Sequence, residues 1–131
     1  MATTYTDMNR DRDVPRDETT TLIASDKVEG TTVYGADGDK IGSIDNVMIE
    51  KRSGQVSYAV LSFGGFLGMG TDHYPLPWSM LRYDEDKGGY VVNITREQLE
   101  NAPRYADEDS WEWSPSMRNQ VDTHYRPYAM I

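Results

Sequence analysis

The stretch that decides the fold runs from Tyr58 to Leu81. It opens with Tyr58-Ala59-Val60-Leu61-Ser62-Phe63 and enters the glycine-rich run Gly64-Gly65-Phe66-Leu67-Gly68-Met69-Gly70. A second extended segment follows, built around Tyr74-Pro75-Leu76-Pro77-Trp78. Glycine reaches backbone angles other residues avoid and lacks the Cβ that blocks close chain approach. Proline has no N–H to give a ladder, so Pro75 and Pro77 suit an edge or bulged strand. The stretch reads as a sharply turned corner of a small β structure, with Phe66, Leu67 and Trp78 as packing pieces.

Working outward, turn signals recur about every ten residues. Asp37-Gly38 lies between Thr32-Val33-Tyr34 and Lys40-Ile41-Gly42 and predicts a tight hairpin. The segment Ile41 to Ile49 changes apolar parity: Ile41, Val47 and Ile49 share one phase, Ile44 and Met48 the other. Either both faces are partly buried or a bulge lies near Asp45-Asn46. Ser53-Gly54 is the next turn, and Gln55 to Phe63 carries apolar residues on both faces, as in a central strand. Further strands are expected over 73–78, 79–83 and 90–94, the last two separated by the charged turn Asp84 to Gly89. Thr95 and Gln98 form a capping box that opens a short helix over 95–101, stopped by Ala102-Pro103.

The chain has 131 residues, 37% of them apolar, and a formal net charge of −9. The apolar content is concentrated between Leu22 and Leu99. Residues 1–21 form a polar leader, expected to be flexible, in which Arg10, Arg12 and Arg16 interleave with Asp7, Asp11, Asp13 and Asp17. Arginine and lysine do not cluster, which argues against binding to a nucleic-acid backbone or an anionic membrane surface. There is no cysteine, so disulfides, thiolate catalysis and cysteine zinc sites are excluded. No apolar run approaches the roughly 20 residues of a membrane helix. The expectation is a cytoplasmic protein without membrane insertion.

Residues 104–131 read as a C-terminal extension. Ser114-Pro115 is a helix start, and Met117, Val121 and Tyr125 recur at a spacing of four. Trp111, Trp113, Tyr125 and Tyr128 carry too much aromatic surface to leave in water. The extension should pack on the β domain or on a second copy.

Taken in order, Gly38-Asp39-Lys40-Ile41-Gly42, Asp45-Asn46-Val47-Met48-Ile49, Ser53-Gly54-Gln55-Val56-Ser57-Tyr58-Ala59-Val60, the glycine run, Leu76-Pro77-Trp78-Ser79-Met80-Leu81 and Ile94 to Pro103 resemble a PRC-barrel domain. That family takes its name from the cytoplasmic part of the photosynthetic reaction-centre H subunit. The resemblance covers about residues 22–103, and the aromatic extension resembles those of stand-alone bacterial members. It implies an all-β fold, a small, partly open β-barrel with a short helical and aromatic C-terminal extension. It implies an assembly or interaction module and brings no catalytic residues with it.

Candidate chemistry is sparse. The glycine run lacks both G-x-G-x-x-G and a Walker sequence, since Thr71 follows Gly70. Asp72 and His73 could mark the cleft of an enzyme or a ligand-binding protein, but one histidine and one carboxylate make a poor metal site. Asp37, Asp39 and Asp45 lack the spacing of a calcium loop. No catalytic, cofactor or metal residues are assigned. The expected function is a non-catalytic interaction module that forms a homodimer and meets an unidentified protein partner. The candidate interface residues are Phe66, Leu67, Met69, Trp111, Trp113 and Tyr125.

Overall fold

A computed structural model describes residues 18–19, 21–64, 71–106 and 111–128. The chain runs α1 (Ser25–Val28), β1 (Thr32–Tyr34), β2 (Lys40–Ile49), β3 (Val56–Gly64), β4 (Thr71–Pro77), a 3-10 turn (Trp78–Met80), β5 (Arg82–Asp84) and β6 (Gly89–Val91). It ends with α2 (Arg96–Glu100), α3 (Pro115–Tyr125) and a second 3-10 turn (Arg126–Tyr128). The six strands form one sheet in the order β4-β3-β2-β1-β6-β5. All neighbours are antiparallel except β1 and β6, which run parallel. The sheet is therefore mixed and not closed by hydrogen bonds. The 3-10 turn Trp78–Met80 connects its two edges, β4 and β5. With three α-helices described, the fold is mostly β with some helix rather than all-β.

The prolines explain which strand is the edge. His73 exchanges both backbone hydrogen bonds with Tyr105, on the side of β4 away from β3. Hydrogen-bonding direction alternates along a strand. Pro75 and Pro77 therefore turn their missing N–H toward the same outer side, where no donor is needed. Proline here closes an edge that would otherwise invite pairing.

The parity change in β2 has two causes. Tyr34 pairs with Lys40 while Val33 pairs with Gly42, so Ile41 is extra against β1. Ile44 pairs with Leu61 and Asn46 with Val60, so Asp45 is extra against β3. The second bulge is the one expected from the sequence; the first allows Ile41 and Ile44 both to be buried. Gly42 permits the tight β2–β3 contact: a Cβ there would lie 2.5 Å from the Ser62 carbonyl oxygen.

The core joins both ends of the chain. Val33, Ile41, Ile44, Leu61, Leu76, Ile94 and Leu99 are buried together with Val121 and Tyr125 of α3. Both helix starts follow the sequence. The Thr95 hydroxyl accepts from Gln98 N at 3.3 Å, and Gln98 Oε1 accepts from Thr95 N at 2.9 Å. The Ser114 hydroxyl accepts from Met117 N at 3.2 Å. The strands expected over 79–83 and 90–94 are shorter. Ser79 and Met80 belong to the 3-10 turn, and Val92 and Ile94 are buried beyond the end of β6.

The last residues of the polar leader are held on the barrel. Tyr83 donates its hydroxyl to Glu18 Oε2 at 2.8 Å, and Lys27 Nζ lies 3.0 Å from Glu18 Oε1. The Tyr83 hydrogen bond, then Lys27, holds the Glu18 carboxyl below the usual range. This strap crosses Trp78, Leu81, Tyr83 and Tyr90 and leaves Leu22 exposed. No helix among the described residues is long and apolar enough to cross a membrane.

Candidate docking groove

The two residues nominated for chemistry do not converge. Successive strand residues point to opposite faces. Asp72 pairs with Arg104 Nε at 3.3 Å. His73 Nδ1 lies 3.3 Å from Asp45 Oδ2, off the line of a hydrogen bond, and the His73 ring stacks on Tyr105. Asp72 is a surface ion-pair member and His73 an aromatic packing piece. Among the described residues, no group of three or more His, Asp or Glu side chains is gathered to hold a metal ion.

The aromatic extension packs on its own barrel. Tyr105 stacks on Trp111 at 5.0 Å between ring centroids, Trp111 meets Trp113 edge-on at 5.6 Å, and Trp113 reaches Tyr58 of β3 at 5.1 Å. Such pairs contribute about 0.5–1.5 kcal/mol each beyond the area they bury. Tyr125 is 1% exposed and belongs to the core, so it is not available to an interface in this structure. Trp111 and Trp113 are half-buried against the core cluster. The remaining candidate interface residues, Phe66, Leu67 and Met69, lie outside the described residues, as do Gly65 and Gly68 of the glycine run.

The packing of α3 on the sheet creates a groove that sequence reading did not assign. Its first half encloses about 420 Å³ and is lined by Met48, Ile49, Tyr58 and Trp113, with Glu50, Lys51, Arg52 and Arg118 among the polar residues. It continues past Ser57, Tyr58 and Arg118 into a second hollow of about 380 Å³ beside Met80, Asp122 and Arg126. The β2–β3 turn fixes the outer wall. Glu50 N donates to the Gln55 carbonyl at 2.8 Å, and Gly54 N to the Glu50 carbonyl at 2.9 Å, with Gly54 at φ 77°. Only a residue that tolerates positive φ closes this turn without strain.

The inner wall is braced by α3. Arg118 Nη2 pairs with Glu50 Oε2 at 3.1 Å and its guanidinium lies over the Tyr58 ring, 5.4 Å from the centroid. Ser57 also donates to Glu50 Oε2, at 2.9 Å. The Ser57 hydrogen bond, with Arg118, holds the Glu50 carboxyl below its usual range. The Tyr58 hydroxyl donates to Asp122 Oδ1 at 2.9 Å, and burial pushes the Tyr58 phenol up. Both carboxylates of the groove thus have partners. Lys51, Arg52 and Arg126 make no ion pair among the described residues. Ile49, at 50% exposure, stands at the lip. The polar row Arg118, Asp122 and Arg126 was legible at a spacing of four. Its meeting with the β2–β3 turn, more than sixty positions away in sequence, was not.

The profile of the PRC-barrel domain matches residues 21–99. The chain belongs to the PRC-barrel domain family. The match ends before α3, so one wall of the groove comes from outside the barrel proper. A relative from Deinococcus radiodurans, described as an uncharacterized protein, is 24% identical over 82 residues. The aligned part covers 63% of this PRC-barrel chain and 29% of that protein.

Proposed function

We propose that this PRC-barrel protein is a non-catalytic interaction module, docking a protein partner in the groove between its β2–β3 turn and α3 and self-associating through a separate surface. The observation that supports the docking reading is the groove itself. It sets the exposed Ile49 beside the half-buried Trp113 and near Lys51, Arg52 and Arg126, which make no ion pair among the described residues. Interfaces favour an apolar, aromatic and arginine-bearing centre of this kind. The separation of Asp72 from His73 supports a non-catalytic role.

Self-association rests on the three large apolar residues Phe66, Leu67 and Met69 in the connection between β3 and β4. The aromatic extension no longer motivates it, because those rings are used within the chain. That connection joins Gly64 and Thr71, while the groove lies at the opposite end of the same ladder, where Tyr58 pairs with Pro77. Six residue steps separate the ends, roughly 20 Å at strand spacing. A dimer formed through a surface separate from the groove could hold two partners at once.

Two measurements test this reading. Sedimentation velocity at micromolar concentration should give a dimer mass that Phe66→Asp with Leu67→Asp reduces to a monomer. A wild-type monomer would end the self-association claim. Retention of proteins from native cell extract should be lost with Ile49→Asp and kept with Leu22→Asp, the 72% exposed leucine on the strap. Equal loss, or none, would end the docking claim.

A further inference from the structure

We propose that the groove takes an extended, acidic peptide segment of its partner protein, with an apolar side chain seated against Ile49 and Trp113. The inference rests on the docking reading above and adds the chemistry of the occupant.

Charge complementarity carries the argument. The first hollow sets three cations, Lys51, Arg52 and Arg118, against the single carboxylate Glu50, a surplus of two positive charges. This surplus lies on a chain whose formal net charge is −9. The far end of the groove adds Arg126 and Asp122, so the surplus over both hollows stays at two. Local sign reversal on an acidic protein directs an acidic ligand to one place and repels it elsewhere. The carboxylates of the groove are engaged by groups other than Lys51, Arg52 and Arg126. Glu50 is engaged by Ser57 and Arg118, and Asp122 by the Tyr58 hydroxyl.

Geometry sets the spacing. Arg118 of α3 and Arg126, the residue at its C-terminal cap, are eight positions apart, about 12 Å at helical rise. An extended peptide rises about 3.3 Å per residue. Two carboxylates on one face, four residues apart, lie about 13 Å apart, so a peptide running through both hollows can place one beside Lys51 and Arg52 and the other toward Arg126. The residue midway between them, on the same face, falls near the junction of the two hollows at Ser57 and Arg118, with Ile49 and Trp113 on the side of the first hollow. The two hollows, about 420 and 380 Å³, have room for side chains rather than for a folded element.

The test uses the full chain and a fluorescein-labelled octapeptide. It carries Glu at its second and sixth positions, Leu at the fourth and Ser elsewhere. Comparison peptides replace both Glu by Gln or by Lys. Anisotropy titration should show the Glu peptide binding at least about tenfold more tightly than the Gln peptide, with affinity falling as salt rises. Lys51→Glu with Arg52→Glu should weaken the Glu peptide by about tenfold or more. Arg82→Glu with Lys87→Glu makes the same change in net charge away from the groove and should alter binding by less than about twofold. Circular dichroism would verify that both double variants remain folded.

Equal effects of the two double variants would overturn the inference, as would tighter binding of the Lys peptide or no binding of any peptide. If the Gln peptide binds as well as the Glu peptide and Ile49→Asp abolishes both, the groove remains a docking surface and the preference for acid falls. A dimer in sedimentation that is lost in the Lys51→Glu, Arg52→Glu variant would put a second copy in the groove and overturn the proposal.

Discussion

Tyr125 is an unusual core residue, and replacing it by Phe gives a sharp test of how α3 is held. The ring is buried, 1% exposed, and its hydroxyl has no hydrogen-bond partner among the described residues. A buried polar group without a partner costs about 1–3 kcal/mol. Tyr125→Phe removes that group and keeps the ring. Near neutral pH the variant should therefore match the wild type or exceed it by about 1 kcal/mol. Tyr125→Ala, which empties the site, should lose about 3–5 kcal/mol.

The two proteins should diverge further in alkali. Burial, and then the neighbouring Tyr74, push the Tyr125 phenol far above its ordinary value. The unfolded chain releases this proton near pH 10, before the folded chain does. The stability is fully present below pH 10 and is lost as pH rises toward the folded value, by about 1.4 kcal/mol per pH unit. Between pH 10 and 11.5 this amounts to about 2 kcal/mol that the Phe variant does not lose. Tyr58, Tyr74, Tyr83 and Tyr90 are also raised, so both proteins weaken, the wild type more steeply. Urea unfolding followed by tryptophan fluorescence from pH 7 to 11.5 reads the difference. Parallel curves, or a loss of more than about 1 kcal/mol by Tyr125→Phe at pH 7, would refute the reasoning.

Three further outcomes follow from the fold. Thr95→Ala removes the capping box of α2 and should lower stability by about 1 kcal/mol in chemical denaturation. Gly42→Ala drives a Cβ against the Ser62 carbonyl oxygen and should destabilise by about 1–3 kcal/mol, a loss visible as a lower thermal midpoint. Glu18, whose folded carboxyl is lowered by Tyr83 and Lys27, stabilises the strap above the unfolded carboxylate value. That contribution is lost as pH falls through the lower folded value. Proteolysis near residues 18–23 should therefore increase in acid, and Glu18→Gln should be cleaved readily at neutral pH.

Local signals carried much of the barrel. The Asp37-Gly38 turn, the Ser53-Gly54 turn, the bulge at Asp45, the capping box at Thr95 and the start of α3 at Ser114 each depend on neighbouring residues, and each was legible. The edge position of β4 was legible from Pro75 and Pro77 for the same reason. What escaped the sequence depends on contacts between distant segments. The parallel pairing of β1 with β6 brings together residues more than fifty positions apart. The extra residue at Ile41 shows only against β1. Tyr125 was offered as an interface residue because an apolar stripe does not say which copy covers it. The groove needed Arg118 to meet Glu50, a pairing across sixty-eight positions.

The proposed docking of a partner in the groove beside α3 can be tested on the intact chain. Site-specific photo-cross-linking in living cells tests it most directly. A photoreactive residue would be placed in turn at Ile49 and Arg52, in the groove, and at Arg82 and Lys87, on the β5–β6 side. A discrete adduct is expected from the two groove positions, suppressed by excess acidic octapeptide in the matching lysate experiment, and none from the other two. Adducts of equal yield at all four positions, or at Arg82 and Lys87 alone, would contradict it.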